Sequence, residues 1–205
     1  MKIEYGDEYF ATRRAFVKAW DGACRSSLNA TVVVPGGKTY FLSPLIFKGP
    51  CEAPSIHVQV YGKGKLNGKG LPWWKYVKQA YKAEYINDVR NLNQRKDIDI
   101  CSRRPAVLSF TNCNKLELKG LTFVNPPNNH ISIRSCNNFR VSRLTISAPK
   151  DSPNTDGIDI TNSTNINITS SKISTGLGFI CFVALLLHFR LFLFCFTALR
   201  LIECQ

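Results

Sequence analysis

The apolar positions of this chain recur mostly at every second residue, in short runs that end at Gly, Pro or Asn. Ile56, Val58 and Val60 alternate with more polar residues, as in a strand that buries one face. Three earlier runs are β-branched or aromatic and end at Pro or Gly: 31–34, 40–42 and 45–47. Residues 11–23 have apolar positions at helical spacing, and residues 76–81 have a weaker pattern of the same kind. The pattern predicts an all-β chain that begins with a short N-terminal helix. The glycine-rich stretch 62–70 is predicted to be a tight turn between coils.

From residue 104 the strand-like runs repeat. A shift of 23 residues relates Leu108 to Ile131, and a shift of 27 residues relates Ile131 to Ile158. Two other sets of runs follow the same two shifts: 116–118, 139–141 and 166–168, and 121–123, 144–146 and 172–173. Each repeat therefore carries three short strands and no helix. This predicts a parallel β-helix, a solenoid in which each coil adds one strand, about 4.8 Å from the last, to each of three sheets.

The longer of the two repeats has four extra residues in or before the loop 152–157, whose sequence is Ser-Pro-Asn-Thr-Asp-Gly. Pro153 stiffens this loop, and Gly157 permits an unusual backbone conformation at its exit. An insertion at one corner of a solenoid lies on one face, which is often the binding face. We therefore expect Asn154 and Asp156 to lie side by side on a binding surface, just ahead of a strand.

Asp159 lies in the strand that follows this loop. Its neighbours Ile158 and Ile160 are apolar, so the Asp159 side chain is expected on the opposite face of the strand from theirs. We expect a solvated position for it rather than a catalytic one.

Residues 177–205 lack both the alternation and the turn residues of the preceding repeat. Between 177 and 199 they are almost entirely apolar, with Arg190 as the interruption. A membrane span of about 20 residues fits this length, although a central Arg costs about 2.5–3.5 kcal/mol. The loss of period favours the alternative that this tail is translated intron or frameshifted sequence. We predict a β-helix domain over 1–176 and a separate apolar tail over 177–205.

The formal net charge of the 205-residue chain is +13. This excess suggests a polyanionic partner, either nucleic acid, an anionic membrane or an acidic polysaccharide, with a merely solvated basic surface as the alternative. The basic residues are spread along the chain without a compact run, so nucleic acid is not predicted. None of the eight cysteines forms a CxxC pair, so neither a metal nor a cofactor is predicted.

Two cysteines, Cys113 and Cys136, occupy the same place in successive repeats. We expect them to stack as thiols, with a disulfide as the alternative. The first residues of the chain have no apolar segment of the kind that signal peptides carry. Sequons at Asn29, Asn162 and Asn167 permit glycosylation if the chain is secreted.

Four segments carry a resemblance to a known family: Gly120–Pro127, His130–Cys136, Ser147–Pro149 and Ser152–Ile160, the last of which contains Asn-Thr-Asp-Gly. They resemble plant polygalacturonases of glycoside hydrolase family 28. The resemblance implies a right-handed parallel β-helix of the pectin-lyase-like kind. It also implies inverting hydrolysis of α-1,4-linked galacturonan, the acidic backbone of pectin, by a secreted, monomeric cell-wall enzyme that needs no cofactor.

The resemblance also implies roles for single residues. Asp156 matches the first of the family's three catalytic aspartates, which helps to position and deprotonate the attacking water. Asn154 matches the Asn of the same motif and is expected to contact substrate. His130 lies one coil below; it either faces substrate or acts as a hydrogen-bonded spacer at the corner of the coil.

The chain departs from the family's pattern after Gly176, where Leu177 stands in place of the Asp-Asp-Cys that contains the other two aspartates. The family's Gly-His-Gly and Arg-Ile-Lys motifs are also absent. Inversion requires an acid and a base roughly 6.5–9.5 Å apart, so we expect this incomplete copy to have no more than trace activity. The alternatives are a non-catalytic module that binds acidic pectin, or a membrane-tethered β-helix protein if the segment 177–199 is genuine.

Overall fold

A computed structural model of the protein describes residues 7–77, 79, 104–153, 155–175 and 180–183. Within them the chain forms helix α1 (Asp7–Cys24), a helical segment at 71–77, and fifteen strands. The strands are β1 (Ala30–Pro35), β2 (Thr39–Phe41), β3 (Leu45–Lys48), β4 (Ile56–Tyr61), β5 (Lys65–Asn67), β6 (Leu108–Thr111), β7 (Asn114–Lys119), β8 (Thr122–Val124), β9 (Ile131–Arg134), β10 (Asn137–Ser142), β11 (Thr145–Ser147), β12 (Ile158–Thr161), β13 (Thr164–Thr169), β14 (Lys172–Ser174) and β15 (Ile180–Val183).

The strands form three parallel sheets of five strands each. Sheet A has the order β1-β4-β7-β10-β13, sheet B the order β2-β5-β8-β11-β14, and sheet C the order β3-β6-β9-β12-β15. Every third strand therefore lies beside its predecessor in the same sheet, and one coil contributes one strand to each sheet. This confirms the predicted parallel β-helix.

The register of the sheets confirms the two repeat lengths. In sheet C, Leu108 pairs with Ile131 and Ile131 pairs with Ile158. In sheet B, Phe123 pairs with Ile146. All five of these side chains are at most 1% exposed, because the period of two places them on the inward face of every coil.

The three corners of a coil differ in length. The corners from sheet C to sheet A are tight and repeat a left-handed backbone at Asn112, Ser135 and Asn162, with φ of 56°, 53° and 48°. Asn and Ser tolerate this conformation, which ends one strand and redirects the chain into the next. The corners from sheet B to sheet C are longer and unequal: they span 125–130 in one coil and 148–157 in the next. The four extra residues lie in this last corner, as predicted.

An aromatic column fills the middle of the solenoid. Trp20 of α1 stacks on Phe47 with ring centroids 4.5 Å apart. Phe47 contacts Phe110 at 5.6 Å, and Phe110 contacts Phe139 at 5.0 Å. Because Trp20 is 3% exposed, α1 closes the first coil of the solenoid by burying its apolar face there.

The cysteines adopt two different states. Cys24, at the end of α1, forms a disulfide with Cys51 in the turn after β3. Cys113 and Cys136 are free and buried in successive coils, which confirms the expected stacked thiols.

Two strands lie where the pattern did not indicate them. The glycine-rich stretch 62–70 was expected to be a turn, but it contains β5, whose Leu66 is 1% exposed. Strand β15 lies within the residues assigned to the apolar tail, and its Ile180 pairs with Ile158 of β12. The rest of that tail, 184–205, is outside the described residues. Among the described helices none has the length and apolar composition needed to span a membrane.

Candidate active site

The long corner 148–157 has a buried hydroxyl pair at its centre. The Ser152 and Thr155 side-chain oxygens are 2.6 Å apart, and both residues are at most 1% exposed. The Ser152 hydroxyl also lies 2.5 Å from the carbonyl oxygen of Pro149, and the Ser152 backbone N–H donates to that same carbonyl at 3.1 Å. These bonds fold the corner back on itself, so that its last residues reach β12 in a fixed conformation.

A buried arginine joins this corner to the shorter one in the coil below. Arg104 is 3% exposed, and its Nη1 donates to the carbonyl oxygens of Pro127, at 3.0 Å, and Pro153, at 2.6 Å. Prolines have no backbone N–H, but their carbonyls still need donors when buried. The guanidinium supplies a donor to both corners from one rigid group.

His130 joins the two ends of the long corner. Its Nδ1 is 2.8 Å from the carbonyl oxygen of Asp156, and its Nε2 is 3.0 Å from that of Ser147. Both partners are acceptors, so a neutral ring donates to one of them and a protonated ring to both. Burial lowers the pKa of His130 below its usual value. With 0% exposure, His130 has the position of a spacer at the corner and not that of a side chain facing a groove.

Asp156 lies at the exit of the corner, immediately before β12, and is partly exposed. Its carboxylate interacts electrostatically with Asp159, which lies three residues later on the outward face of β12. Burial and the neighbouring carboxylate of Asp156 raise the pKa of Asp159 to about 7, against an ordinary value of 3.8. The structure therefore brings two carboxyl groups together at one place on sheet C.

The expected solvated position of Asp159 is wrong. It does lie on the face opposite to Ile158 and Ile160, which are both buried, but one of its carboxyl oxygens has no contact with solvent and no hydrogen-bond partner. The other oxygen accepts from the amide nitrogen of Asn129 at 2.5 Å. The corner of the coil below covers this face of the strand, an effect that alternation within one strand does not reveal.

Of the three predicted site residues, Asp156 and His130 are brought together through the bond from the ring to the Asp156 carbonyl. Asn154 is outside the described residues, so its substrate-binding role stays a prediction. Sequence analysis did not assign Asp159 or Asn129. A signal was available for Asp159, since it follows Asp156 by three residues and its alternation with Ile158 and Ile160 places it on the outward face of the strand.

The arrangement places the carboxyl group of Asp159, whose pKa is raised to about 7, beside the carboxylate of Asp156. At neutral pH Asp159 is partly protonated, so it can donate a proton. Among the residues that the structure describes, no three His, Cys, Asp or Glu side chains form a metal-ligand group. Proton transfer is a chemistry that the carboxyl group of Asp159 can supply.

The chain matches the family described as Glycosyl hydrolases family 28 over residues 51–182. It is 38% identical over 181 residues to a probable polygalacturonase of Arabidopsis thaliana, covering 83% of this chain and 39% of that protein. It is 34% identical to a polygalacturonase of Malus domestica, covering 80% of this chain and 38% of that protein. The chain therefore spans about two fifths of the length of these curated relatives.

Solved structures support the same fold. An exopolygalacturonase from Thermotoga maritima has a TM-score of 0.55 at 17% identity, with 84% of this chain and 50% of that chain covered. The family match takes in well over half of the chain, including the long corner and both carboxyl groups of the site. The protein is a member of glycosyl hydrolase family 28.

Proposed function

We propose that this chain carries part of the active site of a pectin-degrading hydrolase that cleaves α-1,4-galacturonosyl linkages with inversion. One observation carries the proposal: the carboxylate of Asp156, at the exit of the long corner 148–157, acts on the partly buried carboxyl group of Asp159 on the adjoining strand β12. In this role Asp156 positions and deprotonates the attacking water. Asn154 is proposed to contact the sugar, and His130 to hold the carbonyl of Asp156.

The neighbouring carboxyl group of Asp159 is proposed as the acid that protonates the leaving oxygen. Inverting hydrolysis requires an acid for the leaving oxygen as well as a base for the water. A carboxyl whose pKa is raised to about 7 keeps its proton at the mildly acidic pH of a plant cell wall. The sequence alone offered one aspartate for both tasks, and the structure adds a candidate for the other.

The test is a reducing-sugar assay on polygalacturonate with the 205-residue chain, its Asp156→Asn variant and its Asp159→Asn variant. Because Leu177 stands in place of the family's Asp-Asp-Cys, we expect trace turnover, which Asp156→Asn abolishes. Turnover that survives Asp156→Asn would contradict the role of Asp156. Turnover at the rate of an ordinary hydrolase would contradict the expectation of trace activity.

The second candidate function is a non-catalytic module that binds acidic pectin. It is favoured by the net charge of +13. The two candidates differ in an observable way, because a binding module retains polygalacturonate without generating new reducing ends. Failure to retain polygalacturonate at any salt concentration would remove the binding module.

The location and assembly follow from the same proposal. We propose a secreted, monomeric protein of the plant cell wall, with β-helical residues up to about 176 and an apolar tail after them. A membrane-tethered form requires the segment 177–199 to be inserted, and carbonate extraction that leaves the protein soluble would contradict it.

A further inference from the structure

The outward face of sheet B carries a groove that is separate from the carboxyl pair on sheet C. It has a volume of about 480 Å³ and is lined by residues of β2, β5, β8 and β11 together with the start of the long corner. One ladder of side chains runs along it, with Phe41 beside Asn67, Asn67 beside Val124, and Val124 beside Ser147. Three steps of about 4.8 Å make this ladder about 14 Å long. The groove is therefore an elongated track across the rungs.

Positive charge lies along this track. Lys65 lines the groove, and Lys69 places its ammonium group 4.5 Å above the ring of Phe41. A second ladder places Lys65 beside Thr122, Thr122 beside Thr145, and Thr145 beside Lys172. Lys65 and Lys172 thus mark positions three rungs, or about 14 Å, apart on one face, with threonine hydroxyls between them.

Negative charge is scarce at the same place. None of the described residues that line the groove is acidic. Beside the groove, Pro149 is followed by the exposed residues Lys150 and Asp151, whose charges offset each other. The net field over the track is therefore positive and comes from Lys65, Lys69 and Lys172.

These features fit a polymer with repeated carboxylates better than a compact anion. A compact anion needs donors that converge on one point, whereas these ammonium groups are spaced along a line. Hydroxyl and amide groups from Thr145, Asn67 and Asn125 lie between or beside the lysines, where they can bond to sugar hydroxyls. Phe41 and Pro149 add apolar surface against which the faces of sugar rings can pack.

We propose that this groove, the sheet-B groove, binds a strand of acidic polysaccharide outside the site that contains Asp156. The identity of the polymer as a galacturonan rests on the proposed function, and the existence of the groove does not. Its location ties it to the site, because Ser147 lines the groove while the carbonyl of Ser147 lies 3.0 Å from His130 Nε2. A polymer held there is kept near the end of the corner that carries Asp156.

The test measures binding of the full 205-residue chain to oligogalacturonate by isothermal titration, with polygalacturonate affinity electrophoresis in parallel. The groove variant is K65Q/K172Q. The matched control is K115Q/K119Q, which removes the same charge from sheet A. A third variant, D156N/D159N, alters the site on sheet C and leaves the groove intact.

We expect K65Q/K172Q to weaken binding about tenfold, as for two solvent-exposed ion pairs, and K115Q/K119Q to change it less than about twofold. D156N/D159N should retain the groove's affinity. Equal losses in the groove and control variants would overturn the proposal, because binding would then follow net charge alone. Loss confined to D156N/D159N would also overturn it, by placing the polymer on sheet C.

Competition identifies the occupant and separates this proposal from the proposed function. Dextran, a neutral polymer, and duplex DNA, a different polyanion, should compete poorly against oligogalacturonate. Equal displacement by either would overturn the assignment of an acidic polysaccharide. Groove-dependent binding without any hydrolysis would leave the groove in place and remove only the proposed function. Hydrolysis by a chain whose binding is not weakened by K65Q/K172Q would support the proposed function and remove the sheet-B groove.

Discussion

Asp159 and Arg104 are both ionisable and both covered by neighbouring coils, but their surroundings differ. The guanidinium of Arg104 donates hydrogen bonds to two backbone carbonyls. The carboxyl of Asp159 has one amide donor and a second carboxylate close by. Burial therefore favours the neutral form of Asp159, whereas Arg104 acts as a hydrogen-bond donor, and we expect replacement of the two residues to change stability in opposite directions.

The raised pKa of Asp159 predicts how stability changes with pH. The folded state keeps the proton up to about pH 7, whereas the unfolded chain loses it near 3.8. The contribution of this group to stability is therefore full below pH 3.8 and is lost as the pH rises through about 7. Asp159→Asn removes that loss and keeps an acceptor for Asn129. The variant should gain up to about 4 kcal/mol over the parent between pH 4 and pH 8.

Urea denaturation at the two pH values measures this difference. Other titrating groups, including His130, cancel because they are present in both proteins. Asp21→Asn, at an exposed position of α1, is the control for the loss of one carboxyl group. A constant difference between Asp159→Asn and the parent across this range would show that Asp159 ionises normally.

A second prediction concerns Arg104. Arg104→Met keeps much of the buried volume but leaves the carbonyls of Pro127 and Pro153 without their guanidinium donor. Buried acceptors that lose a partner cost about 1–3 kcal/mol each, so the free energy of unfolding should fall by about 2–4 kcal/mol. The exposed Arg140 on β10 provides the control, and its replacement by Met should change stability by less than about 0.5 kcal/mol. Similar losses of unfolding free energy in both variants would contradict the inference that Arg104 holds the two corners together through its hydrogen bonds.

Residue-scale features were the hardest to predict from the sequence. The motif at 154–157 marked Asp156, and alternation gave the correct face for Asp159. Neither showed that Asn129, thirty residues earlier in the chain, bonds to Asp159. Such burial depends on how far the corner of the adjacent coil projects over the outward face of the sheet. The packing of the two corners against each other determines this, and local sequence does not reveal it.

At the scale of secondary-structure elements, α1 differs from the strands because it belongs to no sheet. It covers the first coil by placing Trp20 on Phe47, and the Trp20 Nε1 donates to the carbonyl of Lys48 at 3.2 Å. The disulfide from Cys24 to Cys51 holds the end of the helix to the same coil. The helix thereby gives the aromatic column a covered end.

Replacing Trp20 by Ala tests this role. The change removes the stacking contact and leaves a cavity above Phe47, so the free energy of unfolding should fall by about 3–5 kcal/mol. Phe10→Ala is a matched control on the same helix, because Phe10 is 51% exposed; it should cost less than about 0.5 kcal/mol. Thermal and urea denaturation followed by far-UV circular dichroism give both values. A cost for Trp20→Ala close to that for Phe10→Ala would mean that α1 does not close the solenoid.

Most elements were predictable because alternation and turn residues coincide in them. Strands β7 to β14 follow the repeat of 23 and 27 residues, and their pairing is the one that the shifts indicated. Strand β5 was missed because Lys65, Leu66 and Asn67 lie among four glycines, which favour turns in any local analysis. It becomes a strand because β2 and β8 supply hydrogen-bond partners on both sides.

At the scale of the whole molecule, each described coil from β6 to β14 has two corners of two residues and one corner, between sheets B and C, whose length varies. The tight corners fix the register of every sheet, because a change of one residue there moves the next strand's inward face outward. The variable corner lies between sheets B and C and carries Asp156. The fold thus separates the part of each coil that sets stability from the part that can carry a site.

Two single-residue insertions test this asymmetry. An Ala inserted between Lys150 and Asp151, both exposed in the long corner, should cost less than about 1 kcal/mol, because loop closure depends weakly on length. An Ala inserted between Ser135 and Cys136, in a tight corner, should turn Phe139 and Val141 outward. Both side chains are 0% exposed, so this insertion should cost about 3–6 kcal/mol. Thermal unfolding followed by circular dichroism compares the two, and equal losses would contradict a division of the coil into fixed and variable corners.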